Sequence, residues 1–449
     1  MNRFWLKYLP RFLRDKLSDR HRLQSILGNS GWLLADKAVR MGIGLVVGVW
    51  LARYLGPERF GRFNYAIAFV ALFSPIAIFG LDALVVRELV RRPQSKQEIL
   101  GSAFAIRLVG GCLAFSLALA AILTVREGDR QSQWLVGIIA AGMIFQAFDI
   151  ADLWFQSQVR SRYSVLARNG AFLALTAVKI WLILSRAELV AFAWVATVEL
   201  ALAALGLSIA FSATGNRWLD LRPSRQGVAA LLRESWPLLL SGLAAMLYLR
   251  IDQVLLAQMA GEHEVGLYAA AARLSEVWYL IPSVIVTSVT PFLTGARAES
   301  EAVYYQRLLQ LFTILARVAY MVAIPVTLLA VPLVSLVYGD AYTQAGVILA
   351  VHIWTILFVF LGAGAVPWII NERLTRLTLF QTGLGAATNI ALNLYLIPRH
   401  GAIGAALAAL CSQCASAWLA NGIMADGRKL FRLQAKAMLL ALRPGKPAG

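Results

Sequence analysis

Eleven ionisable side chains stand inside stretches that are otherwise apolar. They are the bases Lys37, Arg40, Arg107, Lys179, Arg250, Arg273 and Arg317 and the acids Asp36, Glu199, Asp252 and Glu276. A charge facing lipid costs about 2.5–3.5 kcal/mol on insertion scales, so seven bases would cost about 20 kcal/mol, more than most domains gain by folding. They must face protein or water. Asp36 and Arg40, four apart, can pair on one helix face, as can Arg273 and Glu276 at three. Arg250 and Asp252, two apart, point to different sides, so each needs another partner. The bases outnumber these acids by three. That excess predicts a wet chamber lined by Lys37, Arg40, Arg107, Arg250, Arg273 and Arg317 and suited to an anion. Arg fits phosphate because its planar fork donates two parallel hydrogen bonds. Helix-to-helix ion pairing is the alternative for any single residue. Lys179, near the end of its stretch, ranks lowest, as a base that can extend to the headgroups.

The elements that carry these residues are read from hydropathy. Of 449 residues, 59% are hydrophobic and 15% charged, with mean hydropathy +0.67. Soluble proteins run at about 45–50% and about 25%, so the chain belongs in a bilayer. A span needs about 20 apolar residues. Candidates fall near 30–52, 62–86, 99–124, 133–156, 165–185 and 188–211, then near 235–259, 265–293, 308–331, 345–370, 377–397 and 401–424. The chain therefore reads as an all-α polytopic membrane protein of about twelve transmembrane helices. The stretch 293–345 is the hardest to divide, because Pro325 and Pro332 can kink or split a helix.

Twelve spans place both termini on one side. That side carries 28 Lys and Arg against 7 on the other, a bias that marks it as cytoplasmic. The net charge of +18 is then accounted for by topology and contact with anionic lipid, and nucleic acid binding is not expected. The first residues lack the long apolar core of a signal peptide. Leu9, Phe12, Leu13, Lys16 and Leu17 fit either a helix lying on the membrane surface or a solvated tail.

The two sets of six spans echo each other. "ARYLGPERFGRF" (52–63) aligns with "AQMAGEHEVGLY" (257–268), placing Gly56 and Gly61 on Gly261 and Gly266. Arg107 then falls on Arg317, and "WFQSQVRSR" (154–162) on "WIINERLTR" (368–376), at an offset that grows in small steps. An even number of spans per half makes the repeats parallel, as in transporters whose site lies between two bundles. The expected division is a basic amphipathic cytoplasmic tail (1–29), a six-helix lobe (30–211), a cytoplasmic linker (212–233), a second six-helix lobe (234–424) and a basic cytoplasmic tail (425–449).

Other chemistry finds little support. "GPERFGRF" (56–63) has the glycine spacing of a phosphate loop, but Arg62-Phe63 replaces the required Lys-Ser/Thr. The four His lack metal-ligand spacing, and His352 reads as a packed core residue. Cys411 and Cys414 read as small packing residues without a second pair. Neither a metal nor a cofactor is expected. Outer loops are too short for an enzymatic platform, which favours a carrier.

The stretch 29–89, with its "ARYLGPERFGRFNYA" loop and the "GLD" at Gly80–Asp82, resembles the opening of Wzx-type polysaccharide flippases. These belong to the multidrug/oligosaccharidyl-lipid/polysaccharide (MOP) exporter superfamily. "LVYGDAYTQAGVILAVHIW" (336–354) resembles the signature of the second half. The resemblance implies a MATE-like pair of six-helix lobes in a bacterial inner membrane. It implies as cargo an undecaprenyl diphosphate-type lipid carrying an oligosaccharide unit of O-antigen, lipopolysaccharide or exopolysaccharide. It also implies antiport of protons or Na+, with Asp36, Glu199, Asp252 and Glu276 as candidates for that ion, and work alongside polysaccharide polymerase machinery. Lipid II flippases carry bases in their first, second and eighth helices. Here the first has Lys37 and Arg40 and the eighth Arg273, but the second has no deep base and two further helices are missing, so lipid II is a poorer match. A multidrug cation antiporter of the same superfamily would want an acidic or aromatic cavity, although Asp36 keeps that reading open. A non-transporting scaffold would leave the surplus bases unexplained.

Overall fold

The computed structural model describes residues 21–372 and 374–443, with side chains from Val39 onward except at 291, 298, 299, 373 and 375. Among the described residues the backbone is helical almost throughout and contains no strand. Ten stretches are long and apolar enough to cross a membrane. Two continuous runs each contain a left-handed glycine, Gly56 within His21–Ala71 and Gly401 within Thr375–Cys414. A straight 51-residue helix would reach about 77 Å, over twice the ~30 Å hydrocarbon core. Each run is therefore two spans meeting at its glycine. At Gly401 the doubling back is direct, because Gly404 lies against the Leu396 carbonyl. Dividing both gives twelve.

The spans are α1 (21–55), α2 (57–91), α3 (Lys96–Val125), α4 (Arg130–Ser157), α5 (Arg162–Leu184), α6 (Leu189–Ala213), α7 (Arg225–Met259), α8 (262–299), α9 (Glu301–Tyr338), α10 (Ala345–Asn371), α11 (375–400) and α12 (402–423). They form two six-helix lobes, α1–α6 and α7–α12. The turns at one end of the lobes reveal the repeat. Gly56 corresponds to Gly261, Gly128 to Gly339, and Arg186 to Gly401, and every one has positive φ. Glycine takes this conformation without steric cost, which is why its spacing is visible in the sequence. The second and fourth helices of each lobe are also irregular in parallel. α2 breaks near Phe79–Leu81 and α8 at Val277–Tyr279, while α4 tightens at Gln146–Asp149 and α10 breaks before Thr355. By contrast, α9 runs through both Pro325 and Pro332 as one helix, not split at them.

Most of 212–233 is helical, since α7 begins at Arg225 with the Ser224 hydroxyl capping Gly227 N–H at 2.8 Å. The short connection before it is pinned to the first lobe. Trp218 sits between Phe104, Phe148 and Phe211 at 5.0–5.4 Å between ring centroids, and Arg222 N–H donates to the Gln97 carbonyl at 3.2 Å. Beyond α12, the expected basic tail is instead a further helix, α13 (Arg428–Ala441), packed on α9. Its Phe431 stacks on Trp418 at 4.9 Å. The surface helix expected around Leu9–Leu17 lies outside the described residues.

Candidate functional site between the lobes

The lobes meet most tightly where α1 and the start of α2 face α8. Two glycines make the approach possible. A Cβ on Gly61 would overlap the Glu262 carbonyl, and one on Gly266 would overlap the Pro57 carbonyl. These are the glycines that the repeat places on each other, so each half presents the same notch to its counterpart's backbone. Charged and polar groups reinforce the closure. Arg126 reaches Glu262 at 3.1 Å and the Ala257 carbonyl at 2.9 Å, and Arg62 lies 3.8 Å from Glu262. Arg53 Nε donates to the Val337 carbonyl at 2.7 Å, and the Tyr342 hydroxyl to the Ala52 carbonyl at 2.8 Å. The end of the molecule holding these hairpin turns is sealed.

Arg273 forms the floor of this seal. Its guanidinium crosses from α8 into the notch left by Gly48 on α1 and lies over the Phe60 ring, 5.5 Å from the centroid. It makes no ion pair among the described residues, so the expected pairing with Glu276 is absent. Three residues apart on one helix, the two are drawn to different neighbours: Arg273 to α1, and Glu276 to a pocket within its own lobe. Beyond Arg273 the close packing of α1 is not continued along the 280–299 part of α8 among the described residues. Thr287 and Thr294 are exposed there and return their hydroxyl bonds to their own helix. Arg273 thus stands where the close α1–α8 packing ends, without an ion pair among the described residues.

The pocket beside Glu276 has a volume of about 40 Å³ and is lined by oxygen-bearing side chains, among them Asp252, Tyr268, Tyr279, Thr355, Asn389 and Ser412. That is room for a water or a small ion. Asp252 is buried, accepts a hydrogen bond from the Tyr268 hydroxyl, and takes a second from Gln253 N–H at 2.8 Å. Tyr279 and Thr355 hydroxyls are 2.9 Å apart, and Asn389 donates to Ser412 at 3.3 Å. His352 closes the pocket edge-on to Tyr268, with Nδ1 unpartnered. No base pairs with Asp252 or Glu276 among the described residues, although Arg250 acts on Asp252 from two residues away.

The first lobe differs, and several expectations need correction there. Arg107 does not line a chamber: it is 1% exposed and pairs with the exposed Asp82, which opens the helical segment just after the break in α2. Arg40 turns into its own lobe, 4.0 Å from Glu199 and over the Phe172 ring at 4.8 Å, because α5 and α6 offer it a carboxylate and an aromatic face. Lys179 does not extend to headgroups. Its amine is 2.8 Å from Glu199 on the adjacent helix, which occupies Glu199 as an ion pair. Asp149 and Asp152, positioned by the tightened turn of α4, both hold Arg168 at 3.0 Å. In the second lobe Arg317 shares an exposed face with Ile314, Met321, Ile324 and Leu328. It lies on the outside of α9, where a long stem can carry its charge toward water. The side chains of Asp36 and Lys37 lie outside the described residues. Of the predicted bases, Arg273 is the one with described contacts across the seam; Arg250 is half-buried on α7 and makes no ion pair among the described residues.

Sequence reasoning missed Arg53, Arg62 and Arg126, which it counted only as loop charges, and Glu262, which it did not weigh. It also missed Gly48 and Tyr268. The matched glycines at 61 and 266 were the available signal for the closure. No local pattern announces that Gly48 receives a guanidinium from a residue 225 positions away.

Two matching six-helix lobes are the fold shared with a solved transporter of the MOP superfamily. A family model described as "Polysaccharide biosynthesis protein" matches residues 26–296, and the chain belongs to that family. A relative named "Probable flippase AglR", from Haloferax volcanii, is 29% identical over 206 residues, 44% of this chain and 42% of the relative. The match therefore spans about two fifths of that curated relative's length. The chain superposes on an inward-facing multidrug resistance MATE family transporter of the MOP superfamily with TM-score 0.69, at 15% identity over 88% of this chain and 95% of that one. It also superposes on the lipid II flippase MurJ in an inward closed conformation, with TM-score 0.69 at 13% identity over 91% of both chains. At these identities the likeness speaks to fold.

Proposed function

We propose that this protein is a flippase that carries a lipid-linked oligosaccharide, joined through a diphosphate, across the plasma membrane by alternating access. The observation that carries the reading is Arg273, a guanidinium held between the lobes just inside the sealed end with no ion pair among the described residues. A diphosphate would supply the missing anion, and the fork of Arg matches its oxygens. The sugar would occupy the wet space between the lobes while the polyprenyl tail stays in lipid. The surplus of bases on the side of the termini supports placing that side in the cytoplasm, so the sealed end would face outward. Loading would then start from the cytoplasmic leaflet. The pocket of Asp252 and Glu276 supports coupling to protons or a small monovalent cation, because its carboxylates lack a basic partner that would hold them permanently paired. Family membership and the name of the archaeal relative support an oligosaccharide cargo of the kind used in surface polysaccharide synthesis.

The test is deletion of the gene followed by localisation of lipid-linked repeat units. Accumulation on the cytoplasmic leaflet, reversed by the wild-type gene and not by Arg273→Gln, is the expected result. Unchanged surface polysaccharide together with raised sensitivity to cationic drugs would overturn it.

A further inference from the structure

The outward face of α13 carries Arg428, Arg432 and Lys436 at intervals of four, so three cations stack along one side of a helix over about 12 Å. All three are exposed, and with Lys429 and Leu433 they line a shallow, open groove along one face of the helix. Lys429 is already engaged, 2.8 Å from Glu301 and 3.5 Å from the Tyr305 ring centroid. The other three make no ion pair among the described residues. The helix is a fixed platform: Leu430, Gln434 and Ala437 are buried, and Gln434 bonds both Asn421 at 3.0 Å and the Leu361 carbonyl at 3.3 Å. Farther along, the exposed surface turns apolar at Leu439 and Leu442, 67% and 60% exposed.

A row of unpaired cations leading into uncovered leucines matches one kind of molecule, an anionic head on an acyl chain. We infer that this groove binds the phosphate of an anionic phospholipid from the neighbouring leaflet, with its chains lying along Leu439 and Leu442. The groove lies on α13 against α9, whereas the cation proposed to meet the cargo is on α8, so the lipid acts as a resident of the bundle's rim. Three cations acting together favour an anionic over a zwitterionic headgroup on the order of a hundredfold.

The experiment measures retention of phosphatidylglycerol and phosphatidylcholine by the purified full-length protein, using native mass spectrometry. The expected result is strong preference for phosphatidylglycerol, at least tenfold weaker retention in R428Q/R432Q/K436Q, and little change in R160Q/R222Q/R225Q, which removes the same charge from exposed positions elsewhere. Equal retention of the two lipids, or an equal loss in both variants, would overturn the proposal. Excess inorganic diphosphate should leave the lipid in place, and full displacement would mean a soluble-phosphate site instead. Should the triple variant fail to fold, the wild-type protein still decides the matter: phosphatidylglycerol retention must weaken steeply as salt rises, and salt-independent retention refutes the site.

Discussion

The two lobes share a helix plan and differ in how they treat charge. In the first, Asp149 and Asp152 pair with Arg168, Glu199 with Lys179 and Arg40, and the exposed Asp82 with the buried Arg107, while Glu98 is met by the Ser224 hydroxyl. In the second, among the described residues, Asp252 bonds to a hydroxyl and a backbone amide, and neither Glu276 nor Arg273 makes an ion pair. Paired charges hold helices in place and resist change of protonation, whereas unpaired ones respond to an ion or a ligand.

That contrast breaks most easily at Arg273. Arg273→Gln removes a bidentate, charge-assisted contact and should slow translocation on the order of a hundredfold, with Arg273→Lys restoring part of it. A flipping assay in vesicles reads both. Asp252→Asn should lower ion-driven transport on the order of tenfold and abolish its response to an imposed proton or Na+ gradient, while gradient-free exchange of cargo persists. A retained gradient response would return coupling to the first lobe. Asp82→Asn strands the buried guanidinium of Arg107. Because Asp82 is itself 62% exposed, the loss is discounted to about 2 kcal/mol of stability. It should appear as a lowered melting temperature, with transport per folded molecule unchanged. The smallest effect is expected from Glu262→Gln, which weakens the seal by about 1 kcal/mol, roughly a fivefold shift toward opening. Labelling of a cysteine placed at position 61 or 266 would confound that measurement, so accessibility should be read at Ala52.

The span count and hairpin turns were legible in the sequence because hydropathy and left-handed glycines are local properties. Gly56, Gly61, Gly261 and Gly266 announced both the repeat and the point of closest approach. Charge pairing was not legible, because it depends on where helices bend. Asp82 and Asp149 were not among the acids singled out in the sequence, yet beside the breaks in α2 and α4 they meet Arg107 and Arg168. Counting bases against acids within spans therefore overstated the free positive charge. Arg273 and Glu276 looked like partners at three-residue spacing, but the absence of a side chain at Gly48 draws the guanidinium across the seam. α13 looked like a charged tail because its buried face is short and includes Gln434, a residue that composition counts as polar.

The aromatic clamp around Trp218 has a mechanical consequence. With that ring wedged among three phenylalanines, the strap joining the halves moves as a rigid bracket of the first lobe. A rocking motion must then find its pivot downstream, between the Ser224 cap and Pro237 within α7. Spin labels at the exposed positions 219 and 94, which leave the clamp intact, should keep a constant separation through a transport cycle, while a pair spanning 219 and 249 should report the swing.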